Sequence, residues 1–155
     1  MHDVKTAVDA AGFRIGLVAA RFNGAIVERL IAGARDALLQ NGVPDERIEL
    51  VRVPGAWELP AALDAMADTG RFDALVSLGA VIRGETPHFD YICKECAAGC
   101  ARVTARTGLA VGFGVLTCND AEQAAARAGG KAGNKGQEAA EAALEMACLL
   151  RSLRS

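Results

Sequence analysis

A chain of 155 residues, of which 52% are hydrophobic, is long enough for one domain with a sizeable core and too apolar for intrinsic disorder. Its 17 Lys and Arg nearly balance its 19 Asp and Glu, and the net charge of −2 gives no support for binding to nucleic acid or to a membrane surface. The longest apolar run, 109–116, is too short to cross a bilayer, and the first residues lack a signal-peptide pattern.

Apolar strands and amphipathic helices alternate along the chain. The predicted strands are 13–20, 48–53, 73–82 and 109–116. The predicted helices are 25–40, 57–67, 87–106, 120–128 and 135–153. This alternation predicts a four-stranded parallel sheet with helices on both faces, an α/β three-layer sandwich of the flavodoxin-like type. No shift in composition divides the chain, so we expect a single domain over 1–155, with an extended N-terminal arm over 1–12.

The stretch 78–92 is the most informative part of the chain. An apolar run ends there, the chain breaks at Gly84, and a helix follows with Thr86 predicted as its N-cap and Pro87 as its first residue. Free backbone N–H groups at such a helix start bind anions. Because His88 lies one residue further on and histidine transfers protons near neutral pH, we predict an active site around it.

In open parallel sheets, ligands bind outside the carboxyl ends of the strands. Three of the few aromatic residues, Phe22, Trp57 and Phe113, are expected at or near strand ends. Aromatic side chains at such positions often serve packing, but loop placement beside Asn23 and Glu58 also suits a flat heterocycle stacked on a ring. The segments expected to surround the ligand are 21–23, 54–58, 82–88 and 116–120.

Cys93, Cys96 and Cys100 leave two interpretations open. Their C-x2-C-x3-C spacing could supply thiolates to a metal or an iron–sulfur cluster, but it is equally one face of a helix. We favour helix packing because a fourth ligand is absent, and His2 and His88 are too far apart in sequence for metal-ligand spacing. An odd total of five cysteines fits a reducing compartment, so we expect a cytoplasmic protein.

The glycine-rich segment 129–136 resembles a phosphate loop at first sight. It lacks the closing Gly-Lys-Ser/Thr of that motif and lies between two predicted helices rather than after a strand. A flexible hinge between helices is the simpler interpretation. The chain also lacks a G-x-G-x-x-G motif, so nothing indicates a dinucleotide.

Taken together, four segments resemble the 6,7-dimethyl-8-ribityllumazine synthase family over residues 13–153. They are 54–60, 78–92, 114–117 and 128–136. The resemblance implies condensation of 5-amino-6-(D-ribitylamino)uracil with 3,4-dihydroxy-2-butanone 4-phosphate, the penultimate step of riboflavin biosynthesis, with release of phosphate and water. Such a reaction needs proton transfers and two substrates held in register, but no metal or redox cofactor.

The resemblance also implies roles for individual residues. Phe22 would stack on the pyrimidine, and His88 would transfer protons. Arg127 would hold the phosphate, with Lys135 nearby, and Phe113 and Arg127 would come from a neighbouring subunit. The other implied substrate-binding residues are Asn23, Ala56, Trp57 and Glu58 for the ring and ribityl chain, Ala80, Val81 and Ile82 through their backbone, and Glu85 and Thr86 at the phosphate. Since Glu85 is acidic, we expect its backbone N–H to serve and its carboxylate to point away.

The resemblance implies a homopentamer with active sites between subunits. The short 129–136 segment favours a shell of twelve pentamers over a single pentamer. Two alternatives remain: an archaeal-type riboflavin synthase, which should lack the complete 86–91 arrangement, and a non-catalytic flavin- or lumazine-binding shell protein, which would need neither His88 nor Arg127.

Overall fold

A four-stranded parallel sheet forms the centre of the computed structural model, which describes all residues 1–155. The strands are β1 (Ile15–Ala20), β2 (Ile48–Val53), β3 (Ala74–Ile82) and β4 (Ala110–Cys118). They lie in the order β2-β1-β3-β4, so β2 and β4 are the edges of the sheet. Ile15 lies opposite both Ile48 and Ala74, and Ala74 lies opposite Ala110, all in parallel register.

Helices cover both faces of this sheet, and each face has its own hydrophobic cluster. The helices are α1 (Gly24–Gln40), α2 (Leu59–Asp68), α3 (His88–Thr107), α4 (Ala121–Ala126) and α5 (Lys135–Arg154). Leu17, Leu30 and Leu144 belong to the cluster under α1 and α5, whereas Val18 and Val103 belong to the cluster under α2 and α3. Successive residues of a strand point to opposite faces, which explains why Leu17 and Val18 serve different clusters. The predicted flavodoxin-like three-layer sandwich is confirmed.

The start of α3 differs from the prediction by one residue. Pro87 is the N-cap and His88 is the first helical residue, whereas Thr86 lies outside the helix. The Thr86 hydroxyl accepts a 3.4 Å hydrogen bond from the His88 N–H, two residues along the chain, as in the turns that Ser and Thr often form. The helix thus begins without a side-chain cap, and His88 lies at its N-terminus.

The helix predicted over 57–67 also begins later than expected. A single 3-10 turn, Ala56–Glu58, comes first, and its Glu58 N–H donates to the Gly55 carbonyl oxygen at 3.2 Å. The α-helix then starts at Leu59, with a proline in its first turn, where a missing N–H costs nothing. Trp57 therefore lies on the turn that leads into α2.

The segment predicted as a flexible hinge is a small β-hairpin. Its strands β5 (Ala128–Gly130) and β6 (Gly133–Asn134) pair antiparallel, so Ala128 does not extend α4 as predicted. Two glycines allow the turn, because Gly129 and Gly133 have φ of +90° and +85°. The hairpin is fixed to α1 by the Asn134 side-chain amide, which donates to the Arg29 carbonyl oxygen at 3.0 Å. None of the five α-helices has the length and hydropathy needed to cross a membrane.

Candidate active site

A cleft of about 970 Å³ opens at the carboxyl ends of β1, β2 and β3. Its walls come from the second residue after β1, the turn between β2 and α2, the last residues of β3, the β3–α3 loop and the first two turns of α3. Many of the predicted site residues meet in this cleft: Phe22, Ala56, Trp57, Glu58, Ala80, Val81, Ile82, Thr86 and His88.

Hydrogen bonds to the end of β2 and the residue after it fix the segment that carries Phe22. The N–H of Arg21 donates to the Val53 carbonyl oxygen at 2.8 Å, and the N–H of Phe22 donates to the Pro54 carbonyl oxygen at 3.1 Å. The Phe22 side chain is nevertheless 71% exposed, and Trp57 on the opposite turn is 58% exposed. Two rings left uncovered at the mouth of a cleft form a surface suited to a flat heterocycle.

Asn23 is the one predicted ring-pocket residue that does not line the cleft. It adopts the left-handed conformation at the N-cap of α1, with φ of 57° and ψ of 44°. Its side-chain amide donates to the Ala80 carbonyl oxygen at 2.7 Å. Asn23 therefore holds the turn beside Phe22 against the end of β3.

The loop between β3 and α3 carries free hydrogen-bond donors. The backbone N–H groups of Gly84, Glu85 and Thr86 make no hydrogen bond within the chain. They lie just before the N-terminus of α3, whose dipole adds positive potential there. Thr86 faces the cleft, whereas Glu85 is exposed and is not among the residues that line it. This corner of the cleft has the chemistry of an anion site.

Three residues of the cleft were not predicted: Phe89, Tyr91 and Ile92. Tyr91 and Ile92 follow His88 by three and four positions on α3, and such positions share one face of a helix. That spacing was a usable signal in the sequence. Tyr91 is 67% exposed and adds a third ring to the rim of the cleft.

Phe113, Arg127 and Lys135 lie outside this cleft. Phe113 is opposite Ser77 in the middle of β4, and not near a strand end as predicted, because β4 continues to Cys118.

The Arg127 guanidinium is exposed after α4 and donates to the Gln123 carbonyl oxygen at 3.1 Å. Lys135 begins α5 and pairs with Glu138 at 3.3 Å. The segment 116–120, predicted at the mouth, does not line the cleft either. Its Cys118 carbonyl oxygen accepts a hydrogen bond from the N–H of Arg83.

The cysteines of α3 pack against the sheet, as the helical interpretation predicts. Cys96 and Cys100 are buried in the cluster under α2 and α3, and Cys93 is half-buried. A hydrogen bond between the Cys96 and Cys100 sulfurs, together with burial, raises the pKa of Cys96. Burial also raises the pKa of Cys93 and of Cys118 at the end of β4.

Comparisons with known proteins agree on one family. The family described as 6,7-dimethyl-8-ribityllumazine synthase matches residues 12–151. A protein of that name from Desulfatibacillum aliphaticivorans is 50% identical over 151 residues, 97% of each chain. One from Halorhodospira halophila is 56% identical over 142 residues, 92% of this chain and 91% of the relative. A third, from Desulfovibrio desulfuricans, is 48% identical over 156 residues, 99% of this chain and all of the relative.

Proposed function

This chain belongs to the 6,7-dimethyl-8-ribityllumazine synthase family, and we propose that its cleft condenses 5-amino-6-(D-ribitylamino)uracil with 3,4-dihydroxy-2-butanone 4-phosphate. The chain is accordingly a transferase of riboflavin biosynthesis. One observation carries the assignment of the chemistry to this cleft: His88, Thr86 of the β3–α3 loop with its free N–H, and the exposed rings of Phe22 and Trp57 all line it.

The pyrimidine half of the site is assigned to the end of β3 and the rings that face it. Pairing between β1 and β3 ends at Leu78, whereas β3 continues to Ile82. Backbone N–H and C=O groups beyond Leu78 on that side therefore have no strand partner, and only the Ala80 carbonyl oxygen is taken, by the Asn23 side chain. The remaining groups can bond to the N–H and C=O groups of a pyrimidine ring. Phe22 stacks on this ring, and Ala56, Trp57 and Glu58 take the ribityl chain.

The phosphate half is assigned to the β3–α3 loop. The N–H groups of Glu85 and Thr86 bind the phosphate, and the α3 dipole favours its charge. The Glu85 carboxylate faces solvent, which keeps a negative charge out of the anion site. In this proposal the four-carbon chain lies between the loop and the pyrimidine.

The reaction is a sequence of proton transfers between two aligned substrates. The substrate amine attacks the ketone, and water leaves to form an imine. Phosphate is then eliminated and the resulting enol becomes a ketone. The ribitylamino nitrogen attacks this new carbonyl and closes the ring with loss of a second water. His88 is exposed at the cleft and moves these protons as general acid and base. Alignment of the two substrates lowers the entropic part of the barrier, so we assign much of the acceleration to binding.

A neighbouring subunit completes the site in this proposal. Arg127 and Phe113 are exposed away from their own cleft and are available to a second chain. A guanidinium suits the phosphate dianion through paired hydrogen bonds. Apolar side chains outside the cleft also favour assembly, since Phe113, Met146 and Leu153 are 38%, 43% and 61% exposed. We propose a homopentamer, with Lys135 near the shared phosphate.

We further propose that twelve pentamers form a shell, because the connection between α4 and α5 is only the short hairpin β5–β6. Sedimentation velocity in phosphate buffer tests this assembly. A single boundary of pentamer size would contradict the shell but not the pentamer. A monomer at all concentrations would contradict the shared active site.

Two features of the chain support narrower proposals. Residues 1–10 contain no helix or strand, and Val4 and Val8 on them are 50% and 43% exposed, which supports an extended N-terminal arm over 1–12 within a single domain over 1–155. All five cysteines are unpaired, which supports location in the reducing cytoplasm.

The activity is tested by mixing the purified protein with both substrates and following the fluorescent lumazine. The expected result is a rate well above the spontaneous condensation, abolished when the four-carbon phosphate is omitted. A rate no higher than the spontaneous one would contradict the proposal. The two alternatives are tested in the same assay: riboflavin formed from added lumazine would indicate a riboflavin synthase, and lumazine binding without turnover would indicate a binding protein.

A further inference from the structure

Arg83 makes four contacts at the end of β3 without lining the cleft. Its backbone N–H donates to the Cys118 carbonyl oxygen at 2.8 Å. Its Nε donates to the Asn119 side-chain oxygen at 3.1 Å, and its Nη1 lies 3.4 Å from the Asp90 carboxylate. The guanidinium also covers the Phe89 ring, 4.4 Å from its centre. One side chain therefore joins the end of β4 to the first turn of α3.

The residues in these contacts flank, in sequence, the loop assigned to the phosphate. Arg83 lies immediately before residues 84–87, and Phe89 and Asp90 lie immediately after His88. The loop has little else to fix it, because α3 has no side-chain cap and the bond from the His88 N–H to Thr86 is long, at 3.4 Å. A planar group that stacks flat on an aromatic face and a rigid fork of hydrogen-bond donors distinguish Arg from Lys.

The contacts of Arg83 continue towards Arg127. The backbone N–H of Asn119 donates to the Gln123 side-chain oxygen at 2.7 Å. The backbone carbonyl oxygen of Gln123 accepts from the Arg127 guanidinium at 3.1 Å. A continuous set of hydrogen bonds thus runs from Asp90 through Arg83, Asn119 and Gln123 to Arg127.

We propose that Arg83 is a positioning residue: it holds His88 and the phosphate-binding loop in register with the end of β4 and with α4. The proposal rests on the function proposed above. Arg83 touches neither substrate, and its effect is to keep the loop N–H groups and His88 at a fixed place in the cleft. A displacement of about 1 Å at a reacting group can cost about a hundredfold in rate.

The test is steady-state kinetics of Arg83→Ala, in which each substrate is varied in turn. Because Arg83 positions both His88 and the phosphate-binding loop, we expect kcat to fall, and kcat/KM for the four-carbon phosphate to fall about ten- to a hundredfold. KM should rise for the four-carbon phosphate and stay at the wild-type value for the pyrimidine. Inorganic phosphate should also inhibit the variant more weakly than the wild type.

Arg71→Ala is a matched control. Arg71 pairs with Glu49 at 3.0 Å and covers the Phe72 ring at 4.8 Å, so it makes the same kinds of contact as Arg83, but it lies before β3 at the opposite end of the sheet. If Arg83, like Arg71, served stability alone, both variants would have a lower melting temperature and wild-type KM values for both substrates. Equal kinetics of Arg71→Ala and Arg83→Ala would overturn the proposal.

Two milder variants keep the test decisive if Arg83→Ala does not fold. Arg83→Lys retains a charge near Asp90 but loses the fork, and Asn119→Ala removes one acceptor of Arg83. Both should raise KM for the phosphate substrate by a smaller factor, and an unchanged KM in both would overturn the proposal. Failure of the wild type to form lumazine would instead refute the proposed function, so the two failures are distinguishable.

Discussion

The Asn23 side-chain amide donates a 2.7 Å hydrogen bond to the backbone carbonyl oxygen of Ala80. This bond joins the turn after β1 to the part of β3 that runs beyond its pairing with β1. Asn23 is also the only non-glycine residue with a left-handed backbone, at φ 57°. Short polar side chains tolerate that conformation better than other non-glycine residues, so the backbone and the hydrogen bond both favour Asn at this position.

We expect the variants Asn23→Ala and Asn23→Gly to differ from each other in stability but to bind the pyrimidine equally weakly. Alanine loses the hydrogen bond and adds about 1–2 kcal/mol of left-handed strain, whereas glycine loses only the bond. Both should raise KM for the pyrimidine, because Phe22 is no longer held beside β3. Urea unfolding and steady-state kinetics measure the two effects. Wild-type pyrimidine binding by the glycine variant would contradict the positioning role of Asn23.

His88→Ala should slow turnover only modestly, by less than about a hundredfold, at the low end of typical general acid–base effects. The uncatalysed condensation is feasible, and binding of both substrates in register supplies much of the acceleration. The measurement is single-turnover lumazine formation at saturating substrate. A complete loss of activity in a folded His88→Ala variant would show that proton transfer matters more than alignment.

Arg127→Ala should impair binding of the four-carbon phosphate more severely than His88→Ala does. Removal of the guanidinium takes away the paired, charge-assisted hydrogen bonds and leaves the dianion with the loop N–H groups and the nearby Lys135. Arg127→Lys is the matched control, since it keeps the charge but not the paired hydrogen bonds, and it should fall between the wild type and the alanine variant. If KM for the phosphate rises no more in Arg127→Ala than in His88→Ala, the assignment of Arg127 to the phosphate is wrong.

The shared site predicts complementation between two inactive variants. Phe22→Asp spoils the cleft of its own chain, and Arg127→Ala spoils the site of the neighbour. In pentamers co-expressed at equal amounts, about one quarter of the interfaces combine an intact Phe22 with an intact Arg127. The lumazine assay should therefore give about a quarter of wild-type activity, whereas a mixture of separately assembled pentamers should stay inactive. No recovery in mixed pentamers would contradict a site shared between subunits.

The sheet, the helices and most of the cleft could be predicted from local sequence. The continuous apolar run of β3 reflects burial on both faces of the strand, and the four-residue apolar repeat of α1 reflects burial of one helix face. Both patterns can be recognised in the sequence without knowledge of tertiary contacts. The carboxyl-end rule then identified the surroundings of Phe22, Trp57 and His88. Tyr91 was predictable in the same way, from its helical spacing relative to His88.

What the sequence did not reveal depends on contacts between distant residues. The pairing of Ala128 with Asn134 has no apolar periodicity, so glycines around a turn were interpreted as a hinge. The contacts of Arg83 with Asn119 depend on the register of β3 with β4, which brings Ile82 opposite Cys118. Charged residues in loops carry no periodic signal for such partners.

The buried thiols predict a loss of stability at alkaline pH. Burial raises the pKa of Cys118, so the unfolded chain loses its proton first as the pH rises. This contribution to stability is fully present below the ordinary thiol pKa of about 8.5 and is lost as the pH rises through the higher pKa of the folded state. Urea unfolding from pH 7 to 10 should show the decline, and it should be shallower in Cys118→Ala. An identical slope in the variant would contradict the assignment to Cys118.

Gly136 is required for the close approach of α5 to α1. A Cβ atom at this position would lie 2.1 Å from the Leu30 carbonyl oxygen, a backbone atom that cannot move aside alone. We expect Gly136→Ala to lower the free energy of unfolding by about 1–3 kcal/mol, the usual cost of overpacking. Gly24→Ala is the control, because its Cβ would have no neighbour within 4 Å and alanine favours a helix by about 0.4–1 kcal/mol. Urea unfolding at one protein concentration measures both, and equal stability of the two variants would show that α5 can shift away from α1 at little cost.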